Sequence, residues 1–208
     1  PQLLNTPDPA PLLYLKGSPA FLEQTCIAIV GSRNPTAQGV LNAEQFARTL
    51  SQAAITVVSG LALGIDAAAH RGALQGAGST IAVVGTGLDT VYPSKNRELA
   101  HEIANKGLLL SEFALGTKPL SSNFPRRNRI IAGLAQATLV VEAAVQSGSL
   151  ITAKLAADLG KEVLAVPGSI HSPQSRGCHS LIKQGAKLVE SAQDVLEELR
   201  LEDITKHT

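Results

Sequence analysis

The chain has 208 residues, of which 44% are apolar and 3% aromatic, and its formal net charge is +1. This length suits one main domain, and a core of Ala, Val, Leu and Ile suits helices packed on a buried parallel sheet. A net charge this close to zero excludes a general attraction to polyanions, so a nucleic-acid function would need a local basic patch.

The two cysteines, Cys26 and Cys178, lie far apart and have no metal-ligand neighbours. This pattern argues against a disulfide framework and predicts no metal site. No stretch reaches membrane-spanning length and the first residues lack a signal-peptide pattern, so we expect a cytoplasmic protein without membrane contact. The chain begins with Pro and contains no Met, which is compatible with a segment excised from a longer protein.

Short, continuous apolar runs recur along the chain and predict strands that are buried on both faces. The segment 11–17 could add an edge strand, and the runs themselves cover 27–31, 55–58, 80–84, 107–110, 138–141, 162–166 and 186–189. Helical patterns between them predict helices at 37–52, 64–76, 95–105, 125–136, 149–159, 176–184 and 192–199. In the helix at 37–52, Val40, Ala43, Ala47 and Leu50 form one apolar face.

This alternation predicts the α/β class, with a Rossmann-like, doubly wound and mostly parallel sheet carrying helices on both faces. We divide the chain into an N-terminal lead-in (1–26), a Rossmann-like domain (27–200) and a loose polar C-terminal tail (201–208).

Turns that combine Gly with a hydroxyl residue follow most of the predicted strands. In an open α/β sheet, ligands bind beyond the carboxyl ends of the strands. Glycine allows close approach of the backbone and helix N-termini favour anions, so these turns predict phosphate or carboxylate binding. At any single turn, ordinary turn formation or helix capping is the alternative. The turns are Gly31-Ser32-Arg33, 59–64, 85–87, Ser147-Gly148-Ser149 and 167–169.

The usual occupants of such a sheet edge do not fit this sequence. The first turn lacks the pattern G-x-G-x-x-G, and the second strand ends in Ser59-Gly60 where NAD-binding proteins place an acidic residue. The Walker pattern of ATP-binding proteins is absent. We therefore predict no cofactor.

The segment Phe124-Pro125-Arg126-Arg127-Asn128-Arg129 places three arginines near the start of a helix, with Pro125 predicted at the first helical position. Cations there oppose the helix dipole at roughly 0.3–1 kcal/mol each, so we expect an anion nearby. For at least one arginine we expect internal pairing, for example with Glu112 or Glu142. The remaining arginines would then face a ligand.

Two more side chains support an anionic, base-containing ligand at the same edge. Arg33 follows the first predicted strand and could clamp a phosphate bidentately. Phe124 lies beside the arginines and could stack on a splayed-out base. An ordinary core or helix-staple residue is the alternative for Phe124.

Several motifs together resemble those of the DNA-processing protein A (DprA/Smf) family across roughly residues 12–190. They are 29–33 (Ile-Val-Gly-Ser-Arg), 59–70, 85–89 with Tyr92-Pro93, 124–133, 141–143, 147–153, 165–168 and 177–182.

The resemblance implies a homodimer that binds single-stranded DNA without strong sequence preference and helps load the RecA recombinase during natural transformation and recombination. It implies no catalysis. His179 departs from the family, which usually has Asn there, and the flanking domains of many members are absent from this chain. The predicted DNA-binding residues are Gly31, Ser32, Arg33, Phe124, Arg126, Arg127, Asn128, Arg129, Gly148, Ser149 and, more weakly, Lys183.

Two other classes of function are alternatives to DNA binding. Asp66 and His70 share a helix face and Glu142 ends a strand, which would suit a nucleotide (phosphoribosyl) hydrolase. An acid near a helix start and a histidine bonded to a carbonyl explain the first pair equally well. No nucleophile, base and orienting group can be assembled, so we predict no enzyme. A Leu- and Val-rich surface in the C-terminal half could instead serve a protein-interaction module or the dimer.

Overall fold

The structure, a computed structural model, describes residues 2–206. Within that range it contains one eight-stranded sheet and seven α-helices. The strands are β1 (Tyr14–Gly17), β2 (Cys26–Val30), β3 (Thr56–Ser59), β4 (Thr80–Val83), β5 (Leu108–Ser111), β6 (Ala137–Val140), β7 (Glu162–Ala165) and β8 (Lys187–Leu188). The helices are α1 (Ala37–Gln52), α2 (Ile65–Ala73), α3 (Arg97–Lys106), α4 (Asn123–Leu134), α5 (Ser149–Asp158), α6 (Arg176–Lys183) and α7 (Ala192–Lys206).

The strands are arranged in the order β1-β5-β4-β3-β2-β6-β7-β8, which confirms the predicted doubly wound sheet. All neighbours are parallel except β1, which pairs antiparallel with β5 and forms the predicted edge strand. From β2 the chain moves outward through β3, β4 and β5, and it then returns to β6 on the other side of β2. The carboxyl ends of β2 and β6 therefore flank the point at which open α/β sheets form their ligand-binding crevice.

Alternate residues of the strands point to opposite faces of the sheet, and helices cover both faces. In β2, Cys26, Ala28 and Val30 pack in one core with residues of α4, α5 and α6. Ile27 and Ile29 pack in a second core with α1, α2 and α7. A smaller third core lies around α3. Because both faces are covered, the inner strands β2 to β7 have the largely apolar sequences from which they were predicted.

Helix α1 has the predicted bounds, and its start is capped by Thr36, whose hydroxyl accepts a hydrogen bond from the N–H of Gly39 at 3.0 Å. The prediction for α4 was wrong by two residues. This helix begins at Asn123, so Pro125 is its third residue and not its first. The proline is still tolerated because the first four N–H groups of a helix have no partner within the helix.

The C-terminal helix is longer than predicted, because α7 continues to Lys206 through most of the segment 201–208. Residues 207–208 of that predicted tail, and residue 1 of the lead-in, lie outside the described residues. The division of the chain into domains stays a prediction. Across residues 2–206 no helix combines the length and apolarity that crossing a membrane requires. Cys26 and Cys178 are buried free thiols.

Candidate functional site

A cleft of about 710 Å³ opens at the carboxyl ends of β2 and β6. The turn after β2, the start of α4 and the loop between β6 and α5 form its walls, so three segments that are distant in sequence meet at the predicted sheet edge. The cleft brings together eight of the eleven predicted residues: Gly31, Ser32, Arg33, Phe124, Arg127, Asn128, Gly148 and Ser149.

The turn after β2 is held rigidly. The backbone N–H of Ser32 donates to the carbonyl of Glu142 at 2.7 Å, and its carbonyl accepts from the N–H of Ile65 at 3.1 Å. A β-carbon at Gly31 would lie 2.7 Å from Ile65 Cγ1 and 2.8 Å from Glu142 O, so only glycine fits there. Arg33 follows this turn with an exposed side chain at the mouth of the cleft.

Arg127 has a different environment from the one predicted for a phosphate-binding arginine. It is 4% exposed, and its Nη1 donates to the carbonyls of Gly60 and Val83 at the ends of β3 and β4. Gly60 has no side chain because a β-carbon there would occupy the space of the guanidinium group. Arg127 therefore ties α4 to the sheet beneath the cleft.

Asp66, on α2, is the acidic neighbour of Arg127 and is 7% exposed. Burial lowers the pKa of Arg127 to about 10; the charge of Asp66 acts against this shift and the charge of Arg33 adds to it. The guanidinium group therefore stays charged at neutral pH. Burial also raises the pKa of Asp66, while Arg127 and the N–H groups of Gly60 and Ala62 favour its ionised form. We call Asp66 and Arg127 the floor of the cleft.

The other two arginines of the basic segment pair with acidic side chains, as expected for at least one of the three. Arg129 donates to Glu112 at 2.7 Å and to Asp8 at 2.8 Å, and Arg126 lies 3.4 Å from Glu112. The Arg126 side chain is 57% exposed and that of Arg129 only 14%. Neither residue lines the cleft, so the structure does not bring them together with the other predicted site residues.

Phe124 is half-buried beside the cleft and belongs to none of the three cores. The guanidinium carbon of Arg33 lies 5.8 Å from its ring centroid, within cation–π distance. The ring of Tyr92 packs against it with the centroids 5.5 Å apart. Phe124 is thus the middle member of a cluster formed by Arg33, Phe124 and Tyr92.

The loop before α5 forms the opposite wall. Gly148 is exposed, has φ −61°, and would find open space around an added β-carbon. The hydroxyls of Ser147 and Ser149 lie 2.7 Å apart. The start of α5 therefore leaves backbone and hydroxyl groups accessible from the cleft, as a site for an anion requires. We call Arg33, Tyr92 and Gly148 the rim of the cleft.

Lys183 lies apart from this site. It is the exposed last residue of α6 and does not line the cleft. His179, on the same helix, lies with its Nε2 2.9 Å from the carbonyl of Gly168, so its ring supports the turn after β7.

The residues considered for catalysis make contacts within the fold. Glu142 accepts hydrogen bonds from the N–H and the hydroxyl of Thr36, at 2.9 and 2.6 Å, and so supports the start of α1. His70 is fully buried with its Nδ1 2.7 Å from Thr80 Oγ1. Burial, and then the charges of Arg127 and Arg71, lower the pKa of His70 to about 3.

The structure adds residues to the site that sequence reasoning missed. Tyr92 reaches the cleft from the segment after β4, and Gln174 reaches it from the segment after β7, where its Nε2 donates to the carbonyl of Asn34 at 3.1 Å. Tyr92 had a usable signal, because the chain has only two tyrosines and this one follows a predicted Gly turn. Gln174 had none.

The chain is similar to known proteins in both sequence and fold. The family model for DNA recombination-mediator protein A matches residues 1–200. DNA processing protein DprA of Streptococcus pneumoniae is 51% identical over 187 residues, which is 90% of this chain and 66% of that protein. Protein Smf of Escherichia coli K12 is 48% identical over 201 residues, covering 96% of this chain and 54% of that protein. The chain thus spans between about half and two thirds of these relatives.

Solved structures show that the similarity extends to the fold. The crystal structure of the Streptococcus pneumoniae protein superposes with a TM-score of 0.91 at 49% identity, over 95% of this chain and 69% of that one. DNA processing protein A of Helicobacter pylori, which has a described single-stranded-DNA-binding mode, superposes with a TM-score of 0.90 at 31% identity. That match covers 97% of this chain and 92% of the Helicobacter chain.

Proposed function

Because this chain belongs to the DNA recombination-mediator protein A family, we propose that it binds single-stranded DNA in the cleft at the ends of β2 and β6. The observation that carries the proposal is Arg33, an exposed cation held at the mouth of that cleft against the ring of Phe124. The cluster of Arg33, Phe124 and Tyr92 combines a cation with aromatic rings, which are the two kinds of contact that an unpaired nucleotide needs for its phosphate and its base.

The walls of the cleft suit a phosphate backbone. The first turns of α4 and α5 both border it, and the unpartnered N–H groups of a helix start attract anions. Two guanidinium groups, of Arg33 and Arg127, line the same space with one carboxylate, that of Asp66. These groups recognise no particular base, which supports binding without strong sequence preference.

We propose that the site binds DNA and does not catalyse a reaction on it. Glu142, the acid needed for a hydrolase, has both carboxylate oxygens bonded to Thr36, and His70 is enclosed beside Thr80. A hydrolase would release base or phosphate from a nucleotide panel, and the Glu142→Gln variant would abolish that release. We expect no turnover with either protein.

Membership of this family supports a proposal for the wider role. We propose a cytoplasmic homodimer that helps load RecA onto single-stranded DNA during natural transformation and recombination. The exposed edge of β8, where Leu188 is 46% exposed, supports dimerisation through that side of the sheet. Sedimentation equilibrium tests the dimer, since a monomer at micromolar concentration would contradict it. The rate of RecA filament assembly on single-stranded DNA, with and without this protein, tests the loading.

The test of the central proposal is a binding titration with oligo(dT) and with a duplex of equal length across a range of salt concentrations. We expect tighter binding to oligo(dT), with log affinity falling as log salt rises by roughly 0.7 per phosphate contacted. The variant Arg33→Ala should weaken binding and make this slope shallower. Arg48→Ala, the same substitution at an exposed arginine of α1 outside the cleft, is the matched control. An unchanged slope in Arg33→Ala would refute the assignment of Arg33.

A further inference from the structure

The two aromatic rings of the cleft differ in how much surface they offer. Phe124 is enclosed on several sides, because Arg33 and Tyr92 lie against it and a β-carbon at Gly85 would be 3.0 Å from its Cδ1. Tyr92 is 49% exposed. Stacking on a base requires exposed ring surface, and Tyr92 is more exposed than Phe124.

The segment that carries Tyr92 is anchored on both sides of the ring. Before it, the hydroxyl of Thr86 donates to the carbonyl of Thr90 at 2.8 Å. After it, Asn96 Nδ2 donates to the carbonyls of Leu61 and Ala62 at 2.9 and 3.2 Å. An exposed ring on an anchored segment loses little conformational entropy when it binds, which is the property of a preorganised contact.

From these observations we propose that Tyr92 is the residue on which a DNA base stacks, with Phe124 and Arg33 as its support. The inference rests on the proposed function. The tilt between the Tyr92 and Phe124 rings is 35° at 5.5 Å, a favourable aromatic arrangement that holds Tyr92 in place from behind. Arg33, on the same cluster, remains exposed for the phosphate.

This assignment makes Tyr92 a determinant of the preference for single strands. In a duplex each base is already covered by its neighbours, so the Tyr92 ring finds no free base face. Phosphates are present in both forms of DNA, so Arg33 contributes to both. Removing the Tyr92 ring should therefore reduce affinity for single strands and leave affinity for duplex unchanged.

The composition of the chain allows a direct measurement. It contains two tyrosines and no tryptophan, and the other tyrosine, Tyr14, lies in β1 at the far edge of the sheet. In the variant Tyr14→Phe, tyrosine emission reports on Tyr92 alone. We expect oligo(dT) to quench this emission and duplex of equal length to leave it unchanged. The double variant Tyr14→Phe/Tyr92→Phe gives the background, including the absorbance of the DNA.

The binding measurement uses three variants whose unfolding by urea is recorded alongside. Tyr92→Ala should bind oligo(dT) at least about fivefold more weakly, the lower end of a single stacking contribution. Tyr92→Phe should bind as the unmodified protein does, because it keeps the ring. Phe124→Leu should lose affinity less than Tyr92→Ala.

Quenching by oligo(dT) together with the loss in Tyr92→Ala supports the inference. No quenching, with full affinity in Tyr92→Ala and a loss in Phe124→Leu, overturns it and places the base on Phe124. If the unmodified protein does not bind oligo(dT) at all, the proposed function itself fails and this inference falls with it, which is a distinguishable result.

Discussion

The floor and the rim of the cleft contain the same kinds of residue but use them differently. Arg127 in the floor is buried, bonded to two carbonyls and placed beside Asp66, whereas Arg33 in the rim is exposed. The floor arginine stabilises the fold and the rim arginine is available to a ligand. Charge and sequence motif alone do not separate these roles; burial and the number of internal hydrogen bonds do.

The largest expected effect comes from removing the floor arginine. Arg127→Ala leaves Asp66 buried without its cation and two carbonyls without their donor, so we expect unfolding free energy to fall by about 3–5 kcal/mol. Urea unfolding measures the change. Arg33→Ala, the matched rim variant, should change stability by no more than about 0.5 kcal/mol. Equal stability in the two variants would abolish the distinction between floor and rim.

The next largest effect is the dependence of the unfolding free energy on pH. His70 is buried next to the floor with a pKa of about 3, whereas an unfolded chain has its histidine pKa near 6.5. The unfolded state therefore binds the extra proton first, so stability is complete above pH 6.5 and is lost as the pH falls towards 3. Between pH 7.5 and pH 5 this should remove about 2 kcal/mol.

The variant His70→Gln isolates this contribution, since it keeps a partner for Thr80 but does not titrate. Its unfolding free energy should depend less on pH between 7.5 and 5 than that of the unmodified protein. The raised pKa of Asp66 acts in the opposite direction, because the folded state takes up that proton more readily. Identical pH slopes in the two proteins would show that His70 is not the buried neutral group described above.

The last pair of variants compares two glycines of the cleft and includes the smallest change in stability, that of Gly148→Ala. Gly31→Ala forces a β-carbon against Ile65 and the Glu142 carbonyl, so we expect a loss of about 1–3 kcal/mol in stability. Gly148→Ala meets open space at a helical φ, so its stability should be unchanged or higher by about 0.4–1 kcal/mol. Affinity for oligo(dT) should nevertheless fall in Gly148→Ala if the backbone there approaches DNA. Full affinity would remove Gly148 from the site.

The fold was predictable because its inner strands, β2 to β7, are almost entirely buried, so each appears as a continuous apolar run at nearly the observed bounds. The first residue of α4 was not predictable. A proline is acceptable anywhere in the first turn of a helix, so Pro125 does not fix the residue at which the helix begins. The extent of α7 was missed because its last residues are polar and resemble a tail.

The roles of the three arginines were partly predictable. Residues three or four apart share a helix face, so Arg126 and Arg129 lie together and both reach Glu112. Arg127 is three residues before Ile130 and four before Ile131, both buried, which places it on the apolar face of α4. That spacing is visible in the sequence. The carbonyls of Gly60 and Val83 that receive its guanidinium depend on tertiary contacts, and no local pattern predicts them.

Helix α4 carries Phe124 and Arg127 within one turn, so the ring cluster and the anchor to the sheet cannot separate independently. Fraying of that turn would remove Phe124 from behind Tyr92 and release Arg127 from its carbonyls in a single opening event. The first turn of α4 is therefore one cooperative unit in which local unfolding and loss of the binding site are the same transition. A ligand that binds only the closed rim also protects the floor, because its binding lowers the equilibrium population of the open helix start.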